Sequence, residues 1–403
     1  MPTVEDILEA RKRIQDGVVV TPCVAAPGLT GLLSCRLHIK LESLQRTGSF
    51  KDRGSLNRLL DLSDDERQRG VVTASAGNHA QALAYHCGRL RVPAAVVMPE
   101  GTPLIKVANT RRHGARVSFC GSTLSDAMVE ARRMAEEEGR VLVHAFDDDR
   151  VIEGQGTIGL EILEQVPDLA TLVVPIGGGG LIAGIALAVK DTRPELRVVG
   201  VEAVAAASAL ASRRAGTIVH IETGETIADG IATKRVGERT FPIIENLVDD
   251  IVTVGEEQIA TAVHVLLERQ KLVAEGAGAA PLAALMSGSI PVERDESVVF
   301  VLSGGNIDIN MIARIIDRGL VADGRLTRLM VKVRDRPGQL ARLTERVASK
   351  GANVLEIGHR RAFADISVGD VEIVMHLETR GSDHVAEIVT LLEEDGLVVE
   401  EDR

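Results

Sequence analysis

The sequence has no tryptophan, one tyrosine and only six phenylalanines among 403 residues. So few rings exclude a surface built to stack nucleic-acid bases. Positive charge is also short: 46 lysines and arginines against 58 aspartates and glutamates leave a net charge of −12, which argues against nucleic acid or any other polyanion as partner. Cysteine is scarce. Cys23, Cys35, Cys87 and Cys120 form no CxxC pair, so they read as reduced thiols of a cytoplasmic protein, with no metal cluster. The N-terminus carries acids early and no apolar core, which does not read as a signal peptide. Residues 169–189 form a run of 21 without a charge, but it holds Pro175 and four consecutive glycines. A strand, a loop and a helix explain that run better than a membrane span.

Glycine is abundant instead: 39 against 13 prolines, as expected where backbone must approach a ligand or another segment closely. The length predicts two or three domains. Over the first ~320 residues, short β-branched runs alternate with helix-like stretches. The runs are Val71-Val72-Thr73, Ala95-Val96-Val97-Met98, Val117-Ser118-Phe119, Leu172-Val173-Val174, Val198-Val199-Gly200-Val201 and Val298-Val299-Phe300-Val301. Helical patterns cover about 78–88, 125–139, 181–189 and 256–269. Continuous apolar runs alternating with helices predict an α/β fold with parallel sheets covered on both faces. Ligands of such sheets sit at the carboxyl ends of strands. From Leu329 the order changes to strand, Pro337-Gly338 turn, helix, two strands, helix and strand, with Val371, Ile373, Met375 and Leu377 in strict alternation. This βαββαβ order predicts a separate ferredoxin-like C-terminal domain.

Four segments could carry chemistry. Lys51 lies in Gly48-Ser49-Phe50-Lys51-Asp52, where a close-approach loop runs into a helix start; burial would bring such a lysine toward neutrality at ordinary pH. Ser75-Ala76-Gly77-Asn78-His79 closes a strand with small residues and three polar side chains. Gly177-Gly178-Gly179-Gly180-Leu181 joins a strand to a helix, and its amides with the helix dipole suit one compact phosphate. Gly178, Gly180 and Gly184, with Glu202 ending the next strand, partly imitate a dinucleotide fingerprint. Ser303-Gly304-Gly305-Asn306 closes another buried strand with a hydroxyl.

Taken together and in this order, SFKDRG, SAGNHAQ, GGGGL, ADGIA, AEGAGA and SGGN resemble the fold-type II pyridoxal-phosphate enzymes, and most closely their serine/threonine dehydratase group. DRPGQL and GANV, with the βαββαβ order, resemble an ACT domain, an amino-acid-sensing module. The resemblance implies a catalytic domain over 1–323, with a smaller subdomain at about 46–145 inserted in the larger, and an ACT domain over 327–403. It implies that Lys51 holds pyridoxal 5'-phosphate covalently and serves as base, that Phe50 packs on its ring, and that Asn78 bonds its phenolic oxygen. Gly177, Gly178, Gly179, Gly180 and Leu181 would hold its phosphate and Ser303 its ring nitrogen, with Gly230 and Glu275 lining the pocket. Ser75, Ala76, Gly77, Asn78 and His79 would bind the substrate carboxylate. The implied activity is β-elimination of L-threonine, with L-serine as a further substrate, to a 2-oxo acid and ammonia.

Three other functions compete. A serine/threonine racemase needs a proton donor on the face opposite Lys51, where racemases that resemble this chain have a second serine; here that position is Ala76. Their divalent-cation pattern keeps Glu202 but has Ser208 in place of an aspartate, so no metal is expected. A nicotinamide-dependent dehydrogenase built on the glycine loop would leave Lys51 and Ser303 without a role. A non-catalytic amino-acid sensor would not need Lys51, Asn78 and Ser303 together. The resemblance further implies a homodimer or homotetramer and a branched-chain amino acid effector bound near Gly338, Gln339, Leu340 and, from a partner, Asn353.

Overall fold

The computed structural model describes residues 1–29, 31–361 and 367–402. It divides into two compact units, Met1–Ile307 and Asp308–Arg403.

In the first unit, an edge strand β1 (Cys23–Ala25) runs antiparallel to β2 (Arg36–Leu41). The chain then leaves this sheet and builds a second one from β3 (Val71–Ala74), β4 (Ala94–Met98), β5 (Arg116–Phe119) and β6 (Val141–Leu142). These are parallel, in the order β5-β4-β3-β6. The helix Asp149–Gln165 carries the chain back to β7 (Thr171–Pro175), β8 (Arg197–Ala203), β9 (Asp250–Val254) and β10 (Ser297–Leu302), completing a six-stranded sheet ordered β1-β2-β10-β7-β8-β9. Every residue of β7 and β10 is buried, the state expected of a parallel strand covered on both faces. The main core cluster joins Leu172, Val174, Val198 and Val299 of this sheet to Ile158, Ile162 and Ile182 of the helices above it.

Glycines set the helix spacing that places the site. A Cβ on Gly154 would lie 2.6 Å from the Cα of Gly54, and one on Gly184 would lie 2.6 Å from the Gly156 nitrogen. The Asp149–Gln165 helix therefore presses its backbone against both Lys51–Leu60 and Gly180–Thr192. The N-termini of those two helices carry Lys51 and the end of the glycine run. The run at 169–189 is β7, a loop and a helix, and among the described residues no helix is long and apolar enough to cross a membrane. One expected element differs: the helix at 256–269 is α-helical only over Glu256–Val265 and continues as a wider π turn, Leu266–Gln270. All four cysteines are free thiols.

The second unit begins with the helix Ile309–Ala322, followed by β11 (Leu326–Arg334), the helix Gln339–Ser349, β12 (Asn353–Arg360), β13 (Asp370–Glu378), the helix Ser382–Glu394 and β14 (Val398–Asp402). The sheet is antiparallel, ordered β12-β13-β11-β14, which is the ferredoxin-like arrangement. Leu343 and Val347 of one helix and Val385, Ile388 and Leu392 of the other cover one face, against Leu329, Val331, Ile373 and Met375. The division into compact units falls before the Ile309–Ala322 helix. That helix runs into β11 through one turn, where Gly324 has φ +65° and Thr379 donates to the Arg325 carbonyl at 2.9 Å. Gly338 and Asn353 lie at opposite ends of the Gln339–Ser349 helix, a length of roughly 16 Å at 1.5 Å per residue. One chain does not bring them together.

Candidate active site

Lys51 is the first residue of its helix. The loop before it turns at Gly48, with φ +79°. Asp52 closes that loop, accepting from Thr47 N at 2.8 Å and Thr47 Oγ1 at 3.0 Å, while its other oxygen meets His86 Nε2 at 2.9 Å. Behind the helix, Arg53 is fully buried and holds both Glu42 (2.8 Å) and Glu161 (2.6 Å); Lys40 meets Glu161 at 2.5 Å. Two cations and two carboxylates balance in this interior, as buried charges require. The Lys51 side chain turns the other way, over the Phe50 ring at 4.9 Å from its centroid, and Nζ donates to the Ala145 carbonyl at 2.7 Å. Burial pushes its pKa down to about 8, against a smaller opposing pull from the Glu275 carboxylate.

Ala145 leads to the glycine loop. The next residue, Phe146, lies against Gly178 so closely that a Cβ there would be 2.3 Å from its ring, and a Cβ on Gly180 would be 2.9 Å from the Phe146 carbonyl. Gly179 has φ +94° and precedes the helix that starts at Gly180. Thr240 Oγ1 and the Gly237 amide both donate to the Gly178 carbonyl, at 2.7 and 3.1 Å. The loop is thereby fixed from outside, while the first amides of the helix remain the orphan donors of any helix start. Leu181 is buried behind them.

Ser303 is buried just past the end of β10, and its carbonyl accepts from Phe50 N at 3.0 Å. Ser49 bridges to Gly304, and Gly305 N donates to the Gly48 carbonyl at 3.0 Å. The Lys51 loop and the Ser303 loop thus run side by side. Asn78, first residue of the helix Asn78–Leu90, reaches this junction. Its Nδ2 donates to Glu275 Oε1 at 2.8 Å and Oε2 at 3.0 Å, and its Oδ1 accepts from Asn306 Nδ2 at 2.8 Å. Burial pushes the Glu275 carboxyl up to about 7, although the Asn78 bond opposes it. Gly230 faces the same carboxylate, with its would-be Cβ 3.7 Å from Oε1. Ser75 is buried with Oγ accepting from Gly77 N at 3.3 Å; Ala76, Gly77 and Asn78 are partly open.

His79 is placed differently from expectation. Its ring is buried between Ser55 Oγ (3.4 Å from Nδ1) and the Val143 carbonyl (3.2 Å from Nε2), and burial pushes its pKa down to about 3. Both ring nitrogens are taken, so the side chain has none left for a substrate carboxylate. Glu202 is likewise engaged: its two oxygens accept from the Ala209 and Leu210 amides at 2.8 Å each, at the start of the Ser208–Ala215 helix. Four contributors escaped the sequence reading. Asn306 stood within the quoted SGGN string; Ala145, Phe146 and Thr240 carry no local signal, since their parts are a carbonyl, a packed ring and a clamp.

A family profile described as pyridoxal-phosphate dependent enzyme matches residues 14–304. The chain is 46% identical over 394 residues, 98% of both chains, to an L-threonine ammonia-lyase of Geobacter sulfurreducens. It is 42% identical over 313 residues to a catabolic L-threonine dehydratase of Escherichia coli K12, covering 77% of this chain and 95% of that one. Among solved structures, maize serine racemase superposes with a TM-score of 0.75 at 34% identity, over 79% of this chain and 98% of that one.

Proposed function

The chain belongs to the pyridoxal-phosphate dependent enzymes, and from that premise we propose that it is an L-threonine ammonia-lyase, converting L-threonine to 2-oxobutanoate and ammonia, with L-serine as a second substrate. The observation that carries the reading is identity along essentially the whole of both chains with an L-threonine ammonia-lyase.

The residues fit the cofactor. The Gly177–Gly180 run leaves no room for side chains and ends at a helix N-terminus, a cradle for one phosphate. Lys51 supplies an amine held near neutrality, and Ser303 a buried hydroxyl beside the same loop. When bound, pyridoxal phosphate supplies an electron sink for the charge left at Cα.

In this reading Lys51 takes the Cα proton. Its lowered pKa gives it a neutral fraction at pH 7–8 that an exposed lysine lacks. Ser303 offers the ring nitrogen a neutral partner rather than a carboxylate. The partly open segment from Ala76 to Asn78 receives the substrate carboxylate, with His79 contributing its backbone alone. L-Threonine loses its β-hydroxyl as water, and the released enamine hydrolyses to the oxo acid and ammonia. Ala76 holds no proton for the opposite face, so the likeness to a racemase does not extend to that step. The C-terminal unit senses an amino acid, a branched-chain one by chemistry related to the product's carbon skeleton, in a homo-oligomeric cytoplasmic enzyme.

The test is direct. Purified protein given L-threonine should form 2-oxobutanoate, and borohydride should fix the cofactor to the peptide containing Lys51. L-Serine should yield pyruvate with negligible D-serine. D-Serine as the main product would replace this reading with a racemase.

A further inference from the structure

Asn306 sits at the rim of the site, and both donor positions of its amide nitrogen are engaged. Nδ2 donates to the Thr47 carbonyl at 2.8 Å and to Asn78 Oδ1 at 2.8 Å. An amide's oxygen and nitrogen are told apart by their surroundings, and here the surroundings leave one assignment. The Thr47 carbonyl can only accept, so Asn306 must turn its NH2 toward it. That same nitrogen then faces Asn78, which must answer with its oxygen. Asn78 Nδ2 is consequently directed to Glu275, which accepts at 2.8 and 3.0 Å. The reverse orientation of Asn78 would set a carbonyl oxygen against a carboxylate at one end and NH2 against NH2 at the other. Asn306 therefore donates both ways, to Thr47 and to Asn78, and Asn78 donates onward to Glu275.

Gly48 makes the contact possible. With φ +79°, it lies so near Asn306 that a Cβ would stand 2.6 Å from Oδ1. The neighbouring backbones are joined by Gly305 N donating to the Gly48 carbonyl at 3.0 Å and by the Ser49–Gly304 bridge. Asn306 is thus held by both loops that carry Lys51 and Ser303.

We propose that Asn306 is a positioning residue: acting through Asn78, it fixes the amide polarity so that an N–H, never a carbonyl oxygen, is offered to the ring oxygen of pyridoxal phosphate. The proposal rests on the reading that Asn78 meets that oxygen. An Asn78 amide has two hydrogens; the proposal assigns one, shared between the two Glu275 oxygens at 2.8 and 3.0 Å, to Glu275 and the other to the cofactor. With the amide reversed, two oxygens would face each other and the bond would become a repulsion.

The experiment is a double-mutant cycle read on cofactor binding rather than turnover. Cofactor-free protein is titrated with pyridoxal phosphate, following the visible absorbance of the lysine-linked cofactor, its maximum and its pH dependence. N306D turns the donor into an acceptor and should reverse Asn78. It should weaken cofactor binding by about tenfold, the ratio carried by one hydrogen bond, and should displace the absorbance maximum. N306A should do less, since Asn78 keeps Glu275 as a guide. In an N78A background, N306D should change affinity by less than about twofold. Unchanged affinity and spectrum in N306D would overturn the proposal, as would losses that simply add. If N78A alone leaves affinity intact, the reading of Asn78 fails first, and the proposal with it. Should N306D not fold, N306A against N306S decides: serine keeps one donor and must bind the cofactor more tightly than alanine, or the positioning role is wrong.

Discussion

At the residue scale, the electrostatics of the site divide between two sides of one helix. Behind it, Arg53 ties Glu42 and Glu161, all three buried. Removing one member of such a group leaves the others uncompensated, which costs about 3–5 kcal/mol. Arg53→Met should therefore lower stability by that amount, read as a shift of the urea midpoint. A midpoint equal to the parent's would mean that the cluster is replaceable by packing alone. In front, Lys51 Nζ donates to the Ala145 carbonyl and, among the described residues, meets no carboxylate at bonding distance; burial lowers its pKa to about 8. Only the neutral amine can attack an aldehyde. The rate at which cofactor-free protein captures pyridoxal phosphate should rise about tenfold per pH unit below pH ~8 and level off above it, whereas an ordinary lysine would keep gaining to about pH 10. A stopped-flow absorbance profile that still climbs at pH 9.5 would contradict the lowered value. The setting of Lys51 was legible in the sequence: the structure has the expected turn at Gly48 running into a helix that starts at Lys51. The fate of the His79 ring was not, because its partners Ser55 and Val143 lie far along the chain in other elements.

Elements were legible where burial is uniform. The runs Leu172–Val174 and Val298–Val301 announce fully covered strands, and they lie at the centre of the large sheet. By contrast β2, Arg-Leu-His-Ile-Lys-Leu, was not read as a strand: Lys40 interrupts its apolar pattern, and its burial is intelligible only once Glu161, on a distant helix, is beside it. The π turn at Leu266–Gln270 was equally hidden, since its residues continue a helical pattern. The glycine loop was read correctly as a loop, yet the reason for its glycines is tertiary. Gly178 is a glycine because Phe146 occupies the space of a side chain. Gly178→Ala should push that ring aside, distort the loop and weaken cofactor binding more than tenfold, while thermal unfolding of the cofactor-free protein shifts by only a few degrees. Calorimetric titration with pyridoxal phosphate checks it; parent-like affinity would show that the loop tolerates bulk and that its amides are not a tight cradle.

At the scale of the whole molecule, the two units carry separate hydrophobic cores. The order of elements in the second was readable from its apolar patterning, and the Ile309–Ala322 helix, which precedes that order, lies in the same compact unit. The Escherichia coli relative is covered over 95% of its length by 313 residues, so a catalytic unit of this kind exists without room for the second. The added unit of ferredoxin-like topology is the part of the chain to which the proposed control by an amino acid is assigned. The loop at Gly338-Gln339-Leu340 and the start of β12 at Asn353 are too far apart in one chain to share a small ligand. An effector contacting both must therefore sit between two copies, and binding should tighten self-association. We expect isoleucine or valine to change threonine turnover by about 5–150-fold in affinity or activity, the range of coupling free energies of 1–3 kcal/mol. The same ligand should raise the sedimentation coefficient or suppress dissociation at low protein concentration. A chain stopped before Leu326 should retain turnover and lose both responses. If neither amino acid binds the full chain by calorimetry, the second unit has a structural role and the sensing reading falls. If one binds without altering association, the site lies within a single copy and the pairing of Gly338 with Asn353 is wrong.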